Sequence, residues 1–128
     1  MFLRLRDMAI TVRYWGPGYY IDPRNLKIYH KVFIGELSDD IKNRLIDIPQ
    51  FYKDKLLEMV CQFVEKEKDN YPELATIMDT TKEDYLKCKV LNYIDHYRYW
   101  DVWDAFAEKY LIRELKKWCI ENGISYGM

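Results

Sequence analysis

The stretch Tyr93-Ile94-Asp95-His96-Tyr97-Arg98-Tyr99-Trp100-Asp101-Val102-Trp103-Asp104 decides how the C-terminal part of this chain folds. Neither Gly nor Pro occurs between Glu73 and Asn122, so local propensity permits one helix from Lys82 to Asn122. Such a helix would be about 60 Å long at 1.5 Å per residue, whereas a compact domain of this size has a radius of gyration of about 14 Å. The phase of the apolar stripe chooses between the two descriptions. At about 100° per residue, Leu86, Val90, Tyr93, Ile94 and Tyr97 share one face, and Leu111, Leu115 and Trp118 return to it. An unbroken helix would also turn Asp101, Asp104 and Glu108 onto that face, and burying three carboxylates without partners is prohibitive. The spacing therefore predicts a break within residues 95–101 and two antiparallel helices. The alternative is one long helix in an intertwined dimer.

Upstream of this region, Thr80-Thr81-Lys82-Glu83 matches a capping box, and Asn122-Gly123 is a stop signal at the far end. Residues 69–80 read as a connection around Pro72 with a short turn of helix at Leu74–Met78. Before it, Tyr52, Leu56, Val60, Phe63 and Val64 form an apolar stripe at helical spacing, with Pro49 suited to the first turn. Ser38 is an N-cap for a short helix that opens on Asp39-Asp40 and stops by Ile48.

The N-terminal residues read differently. Met8, Ile10, Val12 and Tyr14 alternate with Ala9, Thr11, Arg13 and Trp15, a period of two that predicts a half-buried strand. Leu3 and Leu5 have the opposite parity, so a register change is expected at Arg6-Asp7. Gly16-Pro17-Gly18 and Asp22-Pro23-Arg24-Asn25 are turn signals, and a further strand is expected over Leu26–Ile34, with His30 on its apolar face as a neutral core residue. The expected fold class is α+β: an N-terminal two- to three-stranded antiparallel β ribbon over residues 1–37, followed by a bundle of three to four α-helices over 38–128, as a single domain.

Charge divides along the same line. Residues 1–34 carry six cations, Arg4, Arg6, Arg13, Arg24, Lys27 and Lys31, against two anions, and residues 35–128 carry fourteen basic against nineteen acidic side chains. Net charge is −1 and pI about 6.1, well below the values above 9 typical of dedicated nucleic-acid domains. The longest apolar runs are far short of the roughly 20 residues a spanning helix needs. No signal-peptide pattern opens the chain, which makes a soluble cytoplasmic protein the expectation. Only two Ser and two Gln occur, while Lys, Glu, Ile and Tyr abound, a thermophile-like composition that suits an archaeon or one of its viruses. A viral origin would place the protein in the host cytoplasm or the virion.

Chemistry-bearing patterns are sparse. The cysteines, Cys61, Cys88 and Cys119, lack the close spacing of zinc or disulfide frameworks and read as reduced, mostly buried thiols. No Gly-rich phosphate loop is present, and no Ser or Cys stands beside a histidine. Asp95 or Asp101 beside His96 offers a weak general-base reading, and Asp104 with Glu108 a weak cation reading, so a small enzyme or metal site around His96, Asp101 and Asp104 is the least favoured function. No catalytic residue, metal or cofactor is assigned.

Four Trp and twelve Tyr exceed what a core of this size hides, and Tyr, Trp and Arg are the residues interfaces favour. The expected function is a non-catalytic interaction or assembly protein, structural or inhibitory, that forms a homodimer and binds another protein. The expected anchors are Tyr14, Trp15, Tyr19 and Tyr20 near the Gly-Pro-Gly turn, with Tyr99, Trp100 and Trp103 at the helical joint. The alternative is a nucleic-acid-binding module, with Arg4, Arg6, Arg13, Arg24, Lys27 and Lys31 on phosphates and Tyr14, Trp15, Tyr19, Tyr20, Tyr29 and Phe33 as stacking surfaces.

Overall fold

The computed structural model describes residues 1–128, and its first departure from the alternating pattern comes at once. After a two-residue strand, β1 (Leu3–Arg4), residues Leu5–Tyr14 form an α-helix, α1, where a strand was expected. The buried side chains Leu5, Met8, Ala9 and Val12 sit three and four apart, one helical stripe. Ile10 and Tyr14, which a strand would have buried with Met8 and Val12, are 60% and 68% exposed. The parity mismatch of Leu5 is therefore the first position of a helical period, and no register change is needed.

Three short strands follow, β2 (Tyr19–Ile21), β3 (Ile28–His30) and β4 (Ile46–Asp47), in an antiparallel sheet of order β3-β2-β4. Tyr19 faces His30, Tyr20 faces Tyr29 and Asp47, and Ile21 faces Ile28 and Ile46. The Asp22-Pro23-Arg24-Asn25 turn folds β3 back on β2 as expected: the Asp22 amide donates to Lys27 O, and Leu26, at φ 60°, donates to Asp22 O. The expected strand to Ile34 stops at His30, where Nδ1 accepts the Val32 amide at 3.3 Å and caps a 3₁₀ helix over Lys31–Glu36. His30 is consequently half-exposed rather than a core residue. Gly18 is required where it stands, because its φ is +90° and a Cβ there would lie 2.7 Å from the aliphatic stem of Lys31.

Ser38 caps α2 (Asp39–Arg44) as expected, its hydroxyl accepting from the Ile41 amide, and the helix stops at Arg44, within the expected limit of Ile48, which leaves Ile46–Asp47 for β4. The remaining helices are α3 (Phe51–Asp54), α4 (Leu56–Glu67), α5 (Pro72–Thr80), α6 (Glu83–Tyr97) and α7 (Trp100–Glu121), and β5 (Tyr126–Gly127) pairs in parallel with β1. The architecture is α+β in the broad sense, with eight helical segments counting the 3₁₀ turn, where three or four were expected. The Thr80–Glu83 capping box does not form. Thr80 ends α5, and the N-cap of α6 is Lys82, without a side-chain cap bond.

The break between α6 and α7 falls inside the expected window. Arg98 takes a left-handed conformation, φ 58° and ψ 42°, and the amides of Arg98 and Tyr99 donate to Asp95 O and Ile94 O, closing the helix end. The neighbours of α6 are α4 and α5. The break restarts the helical phase, so α7 buries its own stripe of Trp103, Ala107, Tyr110, Leu111, Leu115, Trp118 and Cys119 while Asp101 and Asp104 remain exposed.

Two compact units result: Met1–Phe51 with Leu111–Met128, and Tyr52–Tyr110. The first, here the N-terminal unit, holds eleven cations and eight anions, a charge of +3; the second, the helical unit, holds nine and thirteen, a charge of −4. No helix is long and apolar enough to cross a membrane.

Candidate functional site

In the N-terminal unit, the β2–β3 hairpin and the segments on either side of it bring rings together from four elements. Trp15 closes α1, Tyr19 begins β2, Ile28, Tyr29 and His30 form β3, and Phe33 lies on the 3₁₀ helix. These six line an open cleft of about 490 Å³. Trp15 and Tyr19 rest against each other with centroids 4.6 Å apart, and His30 stands edge-on to Tyr19 at 4.8 Å. Trp15 and Phe33 are 46% and 58% exposed. No Asp, Glu, Lys or Arg side chain lines the cleft. Of the expected anchors, Trp15 and Tyr19 meet here. Tyr14 lies outside, with the Arg13 guanidinium 5.1 Å from its ring, and Tyr20, one residue from Tyr19 on the strand, also lies outside the lining.

The expected basic ribbon is divided by the helix. Arg4 lies on β1, Arg6 and Arg13 on α1, Arg24 and Lys27 at the β2–β3 turn, and Lys31 at the start of the 3₁₀ helix beside Gly18. Behind that turn is an ion pair that sequence reasoning missed. Asp22 is fully buried, and its Oδ1 accepts from Arg44 Nε at 2.8 Å and from the Arg24 amide at 3.0 Å. The Arg44 bond, which outweighs burial, holds the carboxyl below its ordinary value. The second oxygen, Oδ2, is buried without a hydrogen-bond partner. The only hint in the sequence was Asp at the start of a turn, a position that any solvated Asx turn also favours.

In the helical unit the break at Arg98 assembles a second set of rings. Tyr99 lies 4.4 Å from Tyr71 and stacks at 5.9 Å and 16° on Tyr97, which in turn lies 4.8 Å from Tyr93. The Tyr93 hydroxyl donates to Glu73 Oε2 at 3.1 Å; burial first, then that carboxylate, pushes the phenol up to about 12. Trp100 is half-buried and donates from Nε1 to Asp95 Oδ1 at 3.0 Å. Asp95, one of the two carboxylates that the least favoured, general-base reading set beside His96, is thus bonded to Trp100, and His96 lies edge-on to Tyr97. Trp103 is not at the surface. It is 0% exposed, stands edge-on to Phe63 at 5.2 Å and donates from Nε1 to Tyr52 Oη at 3.2 Å. The segment around Pro72, expected as a connection with a short helical turn at Leu74–Met78, is the longer helix α5 (Pro72–Thr80), and its start supplies Tyr71 and Glu73; a lone Tyr beside a Pro carries no signal of such a contact.

No group of three His, Cys, Asp or Glu side chains converges in a way that could hold a metal ion, so His96, Asp101 and Asp104 do not come together as ligands. Burial pushes the thiols of Cys61 and Cys119 up, the former with help from Glu83, away from the thiolate form that reacts. Cys88 is exposed. Comparison with protein-family models, with curated proteins and with solved structures finds no match to this chain.

Proposed function

We propose that this chain is a non-catalytic interaction and assembly protein that forms a homodimer through the aromatic rings at the α6–α7 joint. The observation that carries the reading is a stripe that leaves the core. Leu86, Val90 and Ile94 on α6 are buried, Tyr93 is half-buried, and Tyr97, the next member of the same face, is 51% exposed and continues into Tyr99 and Tyr71. A stripe of rings that runs out onto the surface favours a second surface laid over it, and tyrosine supplies contact area at low entropic cost. Two-fold pairing is the commonest closed assembly for such a patch. An intracellular site of action, in a cell or in the host of a virus, suits the same reading.

Light scattering over a concentration series tests it. The mass should rise toward twice the 15.7 kDa of the chain. Tyr97→Ala, a change at an exposed position, should return it to the monomer without lowering thermal stability. A strict monomer at every concentration would sink the proposal.

A further inference from the structure

The cleft of the N-terminal unit lies outside that reading and has its own chemistry. Between Arg13 and Lys31 the sequence holds four cations and one acid, and that acid, Asp22, is fully buried and paired with Arg44. Arg24 and Lys27 are exposed at the β2–β3 turn and Lys31 is exposed at the start of the 3₁₀ helix, at the two ends of the hairpin whose Tyr19 and Tyr29 line the cleft with Trp15 and Phe33. The charge of +3 on this unit, in a chain whose total is −1, has the same sign.

We propose that this cleft binds single-stranded nucleic acid, with bases stacked on Trp15 and Phe33 and phosphates held by Arg24, Lys27 and Lys31. Exposed rings on a hairpin that carries exposed cations at both ends suit an unpaired strand, because every base has a π-face and every link a negative charge. A cationic ligand is disfavoured by the same three side chains. A duplex keeps its bases stacked on one another and offers the rings nothing. His30 adds a polar element: the Val32 amide bond to Nδ1 means that the neutral ring carries its proton on Nε2, a donor suited to a carbonyl on a base edge. The Lys31 stem lies over Gly18, which limits how far its ammonium wanders from β2.

Fluorescence anisotropy of labelled oligothymidylate and oligouridylate, titrated with the full chain, tests the proposal. With three phosphate contacts at about 0.7 each, the slope of log K against log salt should be about −2, so affinity falls about fifteen- to twenty-fold between about 50 and 200 mM salt. Phe33→Ala, at an exposed ring, should weaken binding roughly ten-fold and Phe33→Tyr should restore it. Lys27→Ala and Lys31→Ala should each make the slope shallower by about 0.7. An excess of unlabelled duplex should compete poorly, and the two probes decide whether DNA or RNA is preferred. The proposal is overturned by no binding at low salt, by affinity that stays flat as salt rises, by a Phe33→Ala variant that binds as the parent does, or by a duplex that competes as well as the single strand.

Discussion

In the helical unit, residues 52–110, almost everything buried is apolar: Met59, Val60, Phe63, Val64, Leu74, Leu86, Val90, Ile94 and Trp103 sit at helical spacing on α4, α5, α6 and α7. The N-terminal unit, residues 1–51 with 111–128, instead seals the carboxylate of Asp22 beneath a turn and holds three strands of two or three residues around it. Strands this short bury little area, so around that turn a charge-assisted bond and turn geometry supplement the apolar packing that Leu5, Met8, Val12, Leu111, Leu115 and Trp118 supply elsewhere in the unit. The difference teaches where each unit is vulnerable. Loss of charge should damage the N-terminal unit, which seals an ion pair, more than the helical one, whose core rests on packed volume.

The largest effect is expected from Trp103→Ala. The substitution removes a fully buried ring that touches Phe63 and Phe106 and leaves the Tyr52 hydroxyl without its donor. A loss of about 3–5 kcal/mol is expected from denaturant titration, and Trp103→Phe should recover much of it by refilling the space. If Trp103→Ala cost no more than an exposed substitution, the account of this unit as a volume-filled core would fail.

The same contrast explains what the sequence disclosed. Helices of the second unit were legible because their buried positions follow one period over many turns, and the break near Arg98 was legible because Asp101 and Asp104 could not share a face with Ile94. The α1 segment was misread because Met8, Ala9 and Val12 satisfy a helical stripe while Met8, Ile10, Val12 and Tyr14 satisfy an alternating one, and over ten residues the two are equally good. What decided it was tertiary: only Leu5, Met8, Ala9 and Val12 are covered. The cleft was half legible. Trp15, Tyr19, Tyr29 and Phe33 were all visible as rings, but a strand to Ile34 would not have placed Phe33 beside them; the His30 cap that bends the chain into a 3₁₀ helix does. The Asp22–Arg44 pair spans a separation of 22 residues and left no local trace.

Acid should separate the two units. The folded-state pKa of Asp22 lies below its ordinary 3.8, because Arg44 favours the ionised form. Its contribution is therefore complete above that value and is lost as pH falls through the lower, folded one. Amide exchange should show Ile21, Tyr29 and Ile46 losing protection below about pH 4 while Val60 and Val90 keep theirs. Asp22→Asn keeps the shape and removes the charge, so it should lower Tm by roughly 5 °C near neutral pH and make the acid limb shallower. Equal loss of protection in both units on acidification would count against the contrast.

At the alkaline end the helical unit has its own marker. Tyr93, at about 12, should stay protonated past the step of an ordinary phenol, and its contribution to stability is present below the unfolded value of 10.0 and lost as pH rises through the folded one. Ultraviolet titration should show one late tyrosinate step, brought to lower pH by Glu73→Gln.

The smallest effect sharpens the comparison at the joint itself. Arg98 occupies a left-handed conformation that costs an L-residue with a Cβ roughly 1–2 kcal/mol, and no glycine relieves it. Arg98→Gly removes that cost but adds freedom to the unfolded chain worth about 0.5–1 kcal/mol, leaving a net gain of up to about 1.5 kcal/mol, or at most roughly 6 °C in Tm. Arg98→Ala is the discriminating control, since it removes the guanidinium while keeping the Cβ that causes the strain. A rise in Tm with Gly but not with Ala assigns the effect to the backbone. A rise with both would mean that the arginine side chain, and not its φ of 58°, was the burden, and the helix end at Asp95–Tyr99 would then owe its shape to charge rather than to the closing amide bonds.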